Sequence, residues 1–173
     1  MKLLPQDVLI MIKLVVSKQP GWSYSSLAHD LCMSPSMVHS SIGRSAKARL
    51  FDLYLRRPRK KALEELLIHG VKYAFPADIG SMTRGVPTAY ASPAFKNHIS
   101  YNEGEIYVWP HPKGEQRGLS FSPLYSSVPE IVMHGSNEEL YYALGLVDAI
   151  RLGRSREMKF AEDLLITILK ENA

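Results

Sequence analysis

The 173-residue sequence predicts a mainly α-helical protein of the α+β class, and three observations support this class. Apolar residues recur at helical spacing in several segments of the chain. Two short segments rich in β-forming residues, EIYVWP and GLSFSPL, flank the turn-forming stretch HPKGEQR. The composition, 46% hydrophobic and 22% charged, is typical of a globular protein with a buried core.

Cysteine content and the N-terminal apolar run bear on the compartment. The only cysteine, Cys32, excludes an intramolecular disulfide framework and fits a reducing environment. The run MKLLPQDVLIMIKLVV is interrupted by Pro5, Asp7 and Lys13, and it is shorter than the roughly 20 residues that cross a bilayer. We therefore expect a cytoplasmic protein that has no membrane partner.

Three helices are predicted for the N-terminal third. The first covers Val8 to Val16, where nearly every residue is apolar, and Asp7 favours its N-terminus electrostatically. Ser23 is expected to cap a second, short helix. Ser34 is expected to cap a third, with Pro35 at its first position, where the missing N–H costs nothing.

The second and third helices have the features of a helix-turn-helix. Ala28 supplies a small residue where the two helices touch, and Leu31 and Met33 bracket the turn. Val38 and Ile42 anchor the third helix at a spacing of four residues. The pattern predicts that the third helix, over about residues 34–48, keeps a polar outer face.

That outer face carries groups suited to a duplex. An α-helix fits the major groove, where short hydroxyls and cationic side chains reach base edges, and its first N–H groups attract a phosphate. The outward residues are Ser36, His39, Ser40, Gly43, Arg44 and Lys47.

Positive charge is concentrated in the same third of the chain. Residues 1–61 hold eleven Lys or Arg against three Asp, a net charge of +8, whereas residues 62–173 carry −4. Within the stretch RRPRK, Arg56, Arg57 and Arg59 face only Asp52 as a nearby opposite charge. A cluster in this position indicates a polyanion partner such as double-stranded DNA.

The stretch LAHDLCMSPSMVH resembles the signature of the MarR-like and Lrp-like winged helix-turn-helix regulators of bacteria, which reads roughly L-A-x-x-L-G-h-S-x-S-x-V-S/H with h apolar. The resemblance covers about residues 5–55. It implies that Ser34 and Ser36 contact phosphate, and that His39, Ser40 and Arg44 approach bases.

Two departures from the family pattern lead to further expectations. Cys32 replaces the turn glycine and must adopt its backbone conformation at some cost. For the wing, the sequence predicts one short strand over Leu50–Leu55 and no second strand. Arg56, Arg57 and Arg59 are then expected to contact phosphate from a loop.

The C-terminal part is expected to be a smaller α+β region over residues 61–173, after a DNA-binding domain over residues 1–60. Its first element is a helix over Lys60–Tyr73. The segment 75–102, rich in Pro, Gly, Ser and Ala, is expected to be a long loop, and the two β-forming segments to pair as a β-hairpin.

Two helices complete the predicted C-terminal region. The sequence SNEE at Ser136–Glu139 predicts a capping box that opens a helix with apolar residues over Leu140–Ile150. Gly153 is expected to end that helix, and a last helix is predicted over Met158–Ile168. Arg151, near the end of the first of these helices, is expected to stabilise it through the helix dipole.

No catalytic or metal-binding motif is present. The six histidines lack the spacing of metal ligands, and the sequence has no nucleophile elbow, phosphate-binding glycine loop or dinucleotide fingerprint. We therefore expect no catalytic residues, no metal and no cofactor, and a protein that is not an enzyme.

The sequence predicts a DNA-binding transcriptional regulator that acts as a homodimer, with apolar surfaces of the first helix and the C-terminal pair joining the subunits. The alternative is an antitoxin-like interaction module whose C-terminal region binds a partner protein, motivated by the segment 75–102. A weaker option is a repressor that senses a small molecule between the hairpin and the last helices.

Overall fold

The computed structural model describes residues 2–18, 20–101 and 105–171 and shows a mainly helical α+β protein. Two short 3-10 turns, Ala89–Ala91 and Pro93–Phe95, follow the strand that covers Ile79–Thr88. The elements are α1 Pro5–Val16, α2 Tyr24–Asp30, α3 Pro35–Lys47, β1 Phe51–Asp52, β2 Arg57–Pro58, α4 Lys60–Glu65, a π-helical turn Leu66–Gly70, α5 Val71–Ala74, β3 Ile79–Thr88, β4 Tyr107–Pro110, β5 Gln116–Phe121, α6 Val128–Met133, α7 Glu138–Leu152 and α8 Ser155–Glu171.

Helix α1 lies in the centre of the molecule. Asp7 accepts a hydrogen bond from the N–H of Leu4 at 2.8 Å and so caps the first turn. The residues from Val8 to Met11 are completely buried, because α1 packs against α3, α7 and α8. The predicted buried helix is confirmed. The chain covers the apolar faces of α1 and α7 internally. The expected pairing of two subunits through α1 and the C-terminal helices stays a prediction.

The corner between α2 and α3 forms as predicted. The Ser23 hydroxyl accepts from the N–H of Ser26, and the Ser34 hydroxyl accepts from the N–H of Met37. Cys32 has a φ of +51°, so it takes the left-handed conformation that glycine would adopt without strain. The inner side of the corner is buried at Leu27, Ala28, Leu31, Val38 and Ile42, and Ala46, the next residue on the stripe of α3, is partly buried.

A short hairpin follows α3. Phe51 pairs with Pro58, and Asp52 pairs with Arg57, in antiparallel register. The expectation of one strand over Leu50–Leu55 without a second is wrong. The Asp52 carboxylate accepts hydrogen bonds from the N–H groups of Tyr54 and Leu55. These bonds reverse the chain directly after β1, so that a second strand can form.

The predicted helix over Lys60–Tyr73 is present as α4, the π-helical turn and α5, which follow one another without a break. Leu63, Leu67 and Val71 are buried along it. The chain then enters the part of the fold that differs most from the sequence prediction.

The expected loop over residues 75–102 instead contains β3 and the two 3-10 turns, with residue 102 outside the described residues. The prediction failed because β3 shows neither alternation nor an apolar run. Its N-terminal half is exposed, and its register shifts between Ile79 and Met82. Pro87 is tolerated because it pairs only with β4, beyond the end of β5.

Strands β4 and β5 do not form the predicted hairpin. They pair with each other in parallel, and both run antiparallel to β3. β4 follows the C-terminal half of β3 and β5 follows its N-terminal half, so the two meet at Gly85. A Cβ atom at Gly85 would collide with the carbonyl of Trp109, and glycine is therefore required for this approach.

Helix α7 begins later than predicted. Asn137 is its N-cap, so Glu139 occupies the second helical position and not the third, and the expected Ser136–Glu139 capping box is absent. The Asn137 side chain instead accepts from the buried Lys13 ammonium at 2.5 Å. Gly153 ends the helix with a φ of +78°, as predicted.

A buried polar network ties α7 to the strands. The Asp148 carboxylate accepts from Thr88, Trp109 and Arg151, each at 2.7 Å, and Arg151 also donates to the carbonyls of Phe75 and Ser122. Burial raises the pKa of Asp148, and these donors oppose the rise. Arg151, which was expected to act through the helix dipole, thus also binds Asp148 and two backbone carbonyls.

One continuous core joins the N-terminal and C-terminal parts of the chain. The division of domains at residue 60 accordingly stays a prediction. Within the described residues, every helix is too short or too polar to reach across a lipid bilayer.

Candidate nucleic-acid interface

The outer face of α3 is open to solvent. Ser36, His39, Ser40 and Lys47 are exposed, together with Gly43 between them. Ser34 is also exposed, although its hydroxyl oxygen is engaged as the cap of the helix. These side chains lie on one side of a helix whose opposite side is anchored in the core.

Arg44 does not belong to this open face. Its Nε and Nη2 donate to the two carboxylate oxygens of Asp7 at 2.9 and 2.7 Å, and Nη2 also donates to the Ser41 hydroxyl. The Asp7 side chain is fully buried and that of Arg44 is only 17% exposed. Hydrogen bonding to Asp7 raises the pKa of Arg44.

Asp7 therefore holds Arg44 away from the open face of α3, and contact of Arg44 with a base stays a prediction. The physical reason is the position of α3 beside the first turn of α1, where Asp7 would otherwise be a buried charge without a cation. A buried carboxylate of this kind captures the nearest guanidinium, and sequence spacing does not reveal that Asp7 and Arg44 meet.

The hairpin, in contrast, presents its cations outward. Arg57 is exposed and Lys60 partly exposed, and neither forms an ion pair with any described residue. Burial lowers the pKa of Lys60, and repulsion by Arg57 lowers it further. The Arg59 guanidinium lies 3.3 Å from the Asp52 carboxylate and forms an ion pair with it, but the Arg59 side chain remains largely exposed.

Arg56 is exposed but is held in place by Trp22. Its guanidinium lies 4.7 Å from the centre of the Trp22 ring and donates to the Trp22 carbonyl at 3.2 Å. The indole N–H of Trp22 donates in return to the Arg56 carbonyl at 3.1 Å. Arg56 thus fixes the turn of the hairpin to Trp22, and the outer edge of its guanidinium stays available.

A chain of ring contacts connects the hairpin to α3. The rings of Trp22 and Tyr24 lie 5.5 Å apart, and those of Tyr24 and His39 lie 5.1 Å apart. A continuous series of contacts therefore runs from the hairpin turn to the exposed face of α3, through Arg56, Trp22, Tyr24 and His39. Sequence reasoning missed Trp22 and Tyr24, although the two aromatic residues flank the predicted Ser23 cap.

The C-terminal region supports this corner without covering it. The Ser127 hydroxyl donates to the Leu31 carbonyl at 2.9 Å, and the Tyr125 hydroxyl lies 3.7 Å from the sulfur of Met37. Both contacts reach the inner side of the turn and of α3. The outward residues of α3 remain exposed beside them.

Two other kinds of site bear on the expectations. In the part of the chain that the structure describes, no three His, Cys, Asp or Glu side chains are grouped to hold a metal ion. A cavity of about 720 Å³ lies between the end of β3, the 3-10 turns and α7, and Tyr90, Phe95 and Tyr141 line part of it. Sensing of a small molecule in this region stays a prediction.

Comparison with family models, with curated proteins and with solved structures gave no match to this chain. Function must therefore be argued from the exposed surface itself.

Proposed function

We propose that this protein is a DNA-binding transcriptional regulator that uses a winged helix-turn-helix. In this proposal α3 enters the major groove and the β1–β2 hairpin acts as the wing beside it. The observation that carries the proposal is the exposed face of α3, joined to an outward-facing cationic hairpin through the ring contacts of Trp22 and Tyr24.

The residues of α3 divide into two roles. His39 and Ser40 lie in the middle of the exposed face and approach base edges. Ser34 and Ser36 lie at the N-terminus of the helix, where N–H groups and the helix dipole favour a phosphate. Lys47, the last residue of α3, meets the backbone of the duplex.

The hairpin supplies sequence-independent affinity. Arg57 and Lys60 form no ion pair among the described residues, and each phosphate that they neutralise would release condensed counterions. Arg56 and Arg59 add charge from positions that the protein already fixes through Trp22 and Asp52. The cost of ordering these side chains is thus met before DNA binds.

The proposed regulator is a homodimer, because one recognition helix contacts only a few base pairs. Two-fold pairing would place two such helices at half-sites roughly 34–36 Å apart. The pairing surface must be formed by outward residues, since the apolar faces of α1 and α7 are buried within the chain.

Selection from random duplex DNA, followed by sequencing, tests the proposal. We expect a recurrent two-fold motif for the parent protein and for Lys159→Ala, which removes an exposed cation of α8 remote in sequence from the hairpin. The Arg57→Ala/Lys60→Ala variant should recover the same motif with lower affinity. Selection of no motif by the folded parent would contradict the proposal.

The alternative, an antitoxin-like module that binds a partner protein, was motivated by the long loop expected over residues 75–102. The segment 75–102 is occupied by β3, which pairs with both β4 and β5, and by ordered turns. Deletion of residues 76–100 would remove this strand and disturb the fold, so such a deletion cannot test partner binding. The module, and the absence of enzymatic activity, stay predictions.

A further inference from the structure

The tip of the β1–β2 hairpin is apolar. Leu53, Tyr54 and Leu55 follow one another in the chain and are 62%, 94% and 51% exposed. Burial in the core does not explain these side chains, because most of their surface faces solvent. Three consecutive exposed apolar residues in the turn of a hairpin indicate contact with another molecule.

The tip is held in one conformation. The Asp52 carboxylate accepts from the N–H groups of Tyr54 and Leu55 at 3.0 and 2.9 Å. At the other side of the turn, Arg56 has a φ of +51° and is fixed by its two hydrogen bonds with Trp22. The apolar side chains therefore project from a braced turn, and little ordering is needed when they are buried by a partner.

Cations surround the base of the tip. Arg56, Arg57, Arg59 and Lys60 lie within five residues of Leu55, and Asp52 is the acidic residue among them. A negatively charged surface complements these four cations, whereas an apolar groove of a protein would leave them unpaired. Proteins that bend DNA insert apolar wedges between base steps of the minor groove while their cations contact the flanking phosphates.

We infer that Leu53, Tyr54 and Leu55 form an apolar wedge that enters the minor groove of duplex DNA, partly unstacks a base step and bends the duplex. The inference rests on the proposed function, because α3 must first dock in the adjacent major groove. It adds a deformation of the DNA, and so a dependence of binding on the flexibility of a step outside the bases read by α3.

The test uses the duplex selected by the parent protein, labelled at both ends for energy transfer and carrying 2-aminopurine at successive steps beside the motif. The parent should bend the duplex by roughly 20–90° and raise the fluorescence of one 2-aminopurine position. The Leu53→Ser/Leu55→Ser variant should bind within about tenfold of the parent and lose both signals. Because these side chains are exposed, its thermal unfolding should match that of the parent.

Two controls separate this inference from the proposed function. Arg57→Ala should weaken binding but, at saturating protein, bend the duplex as the parent does. A parent that binds its motif without bending it, or a Leu53→Ser/Leu55→Ser variant that bends it normally, overturns the wedge and leaves the regulator intact. A parent that binds no duplex overturns both.

Lipid is the other polyanionic surface that such a tip could meet. Vesicles of phosphatidylserine and phosphatidylcholine, compared with vesicles of phosphatidylcholine alone, provide that arm. We expect no co-sedimentation of the parent at physiological ionic strength. Binding to the anionic vesicles that is lost in Leu53→Ser/Leu55→Ser, with no bending of DNA, would assign the tip to a membrane surface and overturn the inference.

Discussion

Helix α3 and the hairpin that follows it each place an arginine beside an aspartate in the folded chain, but they use their charges differently. In α3 the guanidinium of Arg44 is turned inward to the fully buried Asp7. In the hairpin the Asp52 carboxylate accepts hydrogen bonds from two N–H groups of the turn and forms an ion pair with Arg59. Arg57 remains without an ion-pair partner among the described residues. The comparison teaches that burial of the carboxylate decides which cations are left for a ligand.

The largest effect is expected when the inward pair is broken. Arg44→Ala leaves Asp7 buried with only the N–H of Leu4, and loss of the partner of a buried charge costs about 3–5 kcal/mol. Denaturation in urea measures this loss. Lys47→Ala, one turn further along α3, should unfold like the parent protein. An Arg44→Ala variant of normal stability that loses its sequence preference would restore Arg44 as a base-reading residue.

The next effect is the loss of the outward cations. Arg57→Ala/Lys60→Ala should weaken binding to all duplexes alike and reduce the slope of log K against log salt by roughly 2, about 0.9 for each phosphate released. Fluorescence anisotropy titrations at several salt concentrations measure the slope. Lys159→Ala is the matched control, and a slope equal in both variants would mean that the hairpin does not contact the backbone.

A smaller and more specific effect is expected on the exposed face of α3. Ser40→Ala should lose about 1 kcal/mol for the preferred base at one position and relax the preference there, because the hydroxyl reaches a base edge. Ser36→Ala, at the phosphate end, should weaken binding without changing the preference. Identical base preferences in Ser40→Ala and the parent would exclude Ser40 from base reading.

The turn before α3 offers a gain in stability. Cys32 occupies a left-handed conformation, which costs a non-glycine residue about 1–2 kcal/mol, and glycine recovers this at some cost in unfolded-chain entropy. Cys32→Gly should therefore raise the free energy of unfolding by about 0.5–1 kcal/mol. Cys32→Ala keeps the strain and should show no gain, which separates backbone conformation from loss of the thiol.

The smallest effect concerns pH at the hairpin. The N–H of Leu55, followed by Arg59, holds the pKa of the Asp52 carboxyl below its usual value. A lowered pKa means that Asp52 stabilises the turn above its unfolded pKa of about 4, and that this stabilisation is lost as the pH falls through the folded value. Amide shifts of Tyr54 and Leu55 should follow this titration in the parent and be flat in Asp52→Asn.

The N-terminal helices were predictable because local chemistry determines them. The serine caps, Pro35 and the apolar stripe of Val38 and Ile42 all act within a few residues, and the left-handed Cys32 followed from a family position. The exposed face of α3 was predictable for the same reason. The position of Arg44 was not predictable, because it depends on a contact with Asp7, 37 positions away.

The sheet was not predictable because its strands are defined by distant partners. β3 carries Gly85 and Pro87, which predict a loop, and only the pairing with β4 and β5 makes a strand of it. The second strand of the hairpin was missed because Asp52 sets the turn through its side chain. Helix α7 begins one residue later than predicted, because Asn137 and not Ser136 is its N-cap. The Asn137 side chain is bound by the buried Lys13, a contact that the local sequence does not reveal.

The complete burial of α1 has a practical consequence for anyone who wishes to isolate the DNA-reading part. A fragment ending at residue 60 would lack α7 and α8, and a helix in which Val8 to Met11 are wholly covered would be left bare. Such a fragment would expose the apolar side chains of α1 to solvent. It would also remove Asn137, the hydrogen-bond acceptor of the buried Lys13 ammonium. Fusion partners are therefore better joined to the ends of the whole chain than exchanged for its C-terminal part.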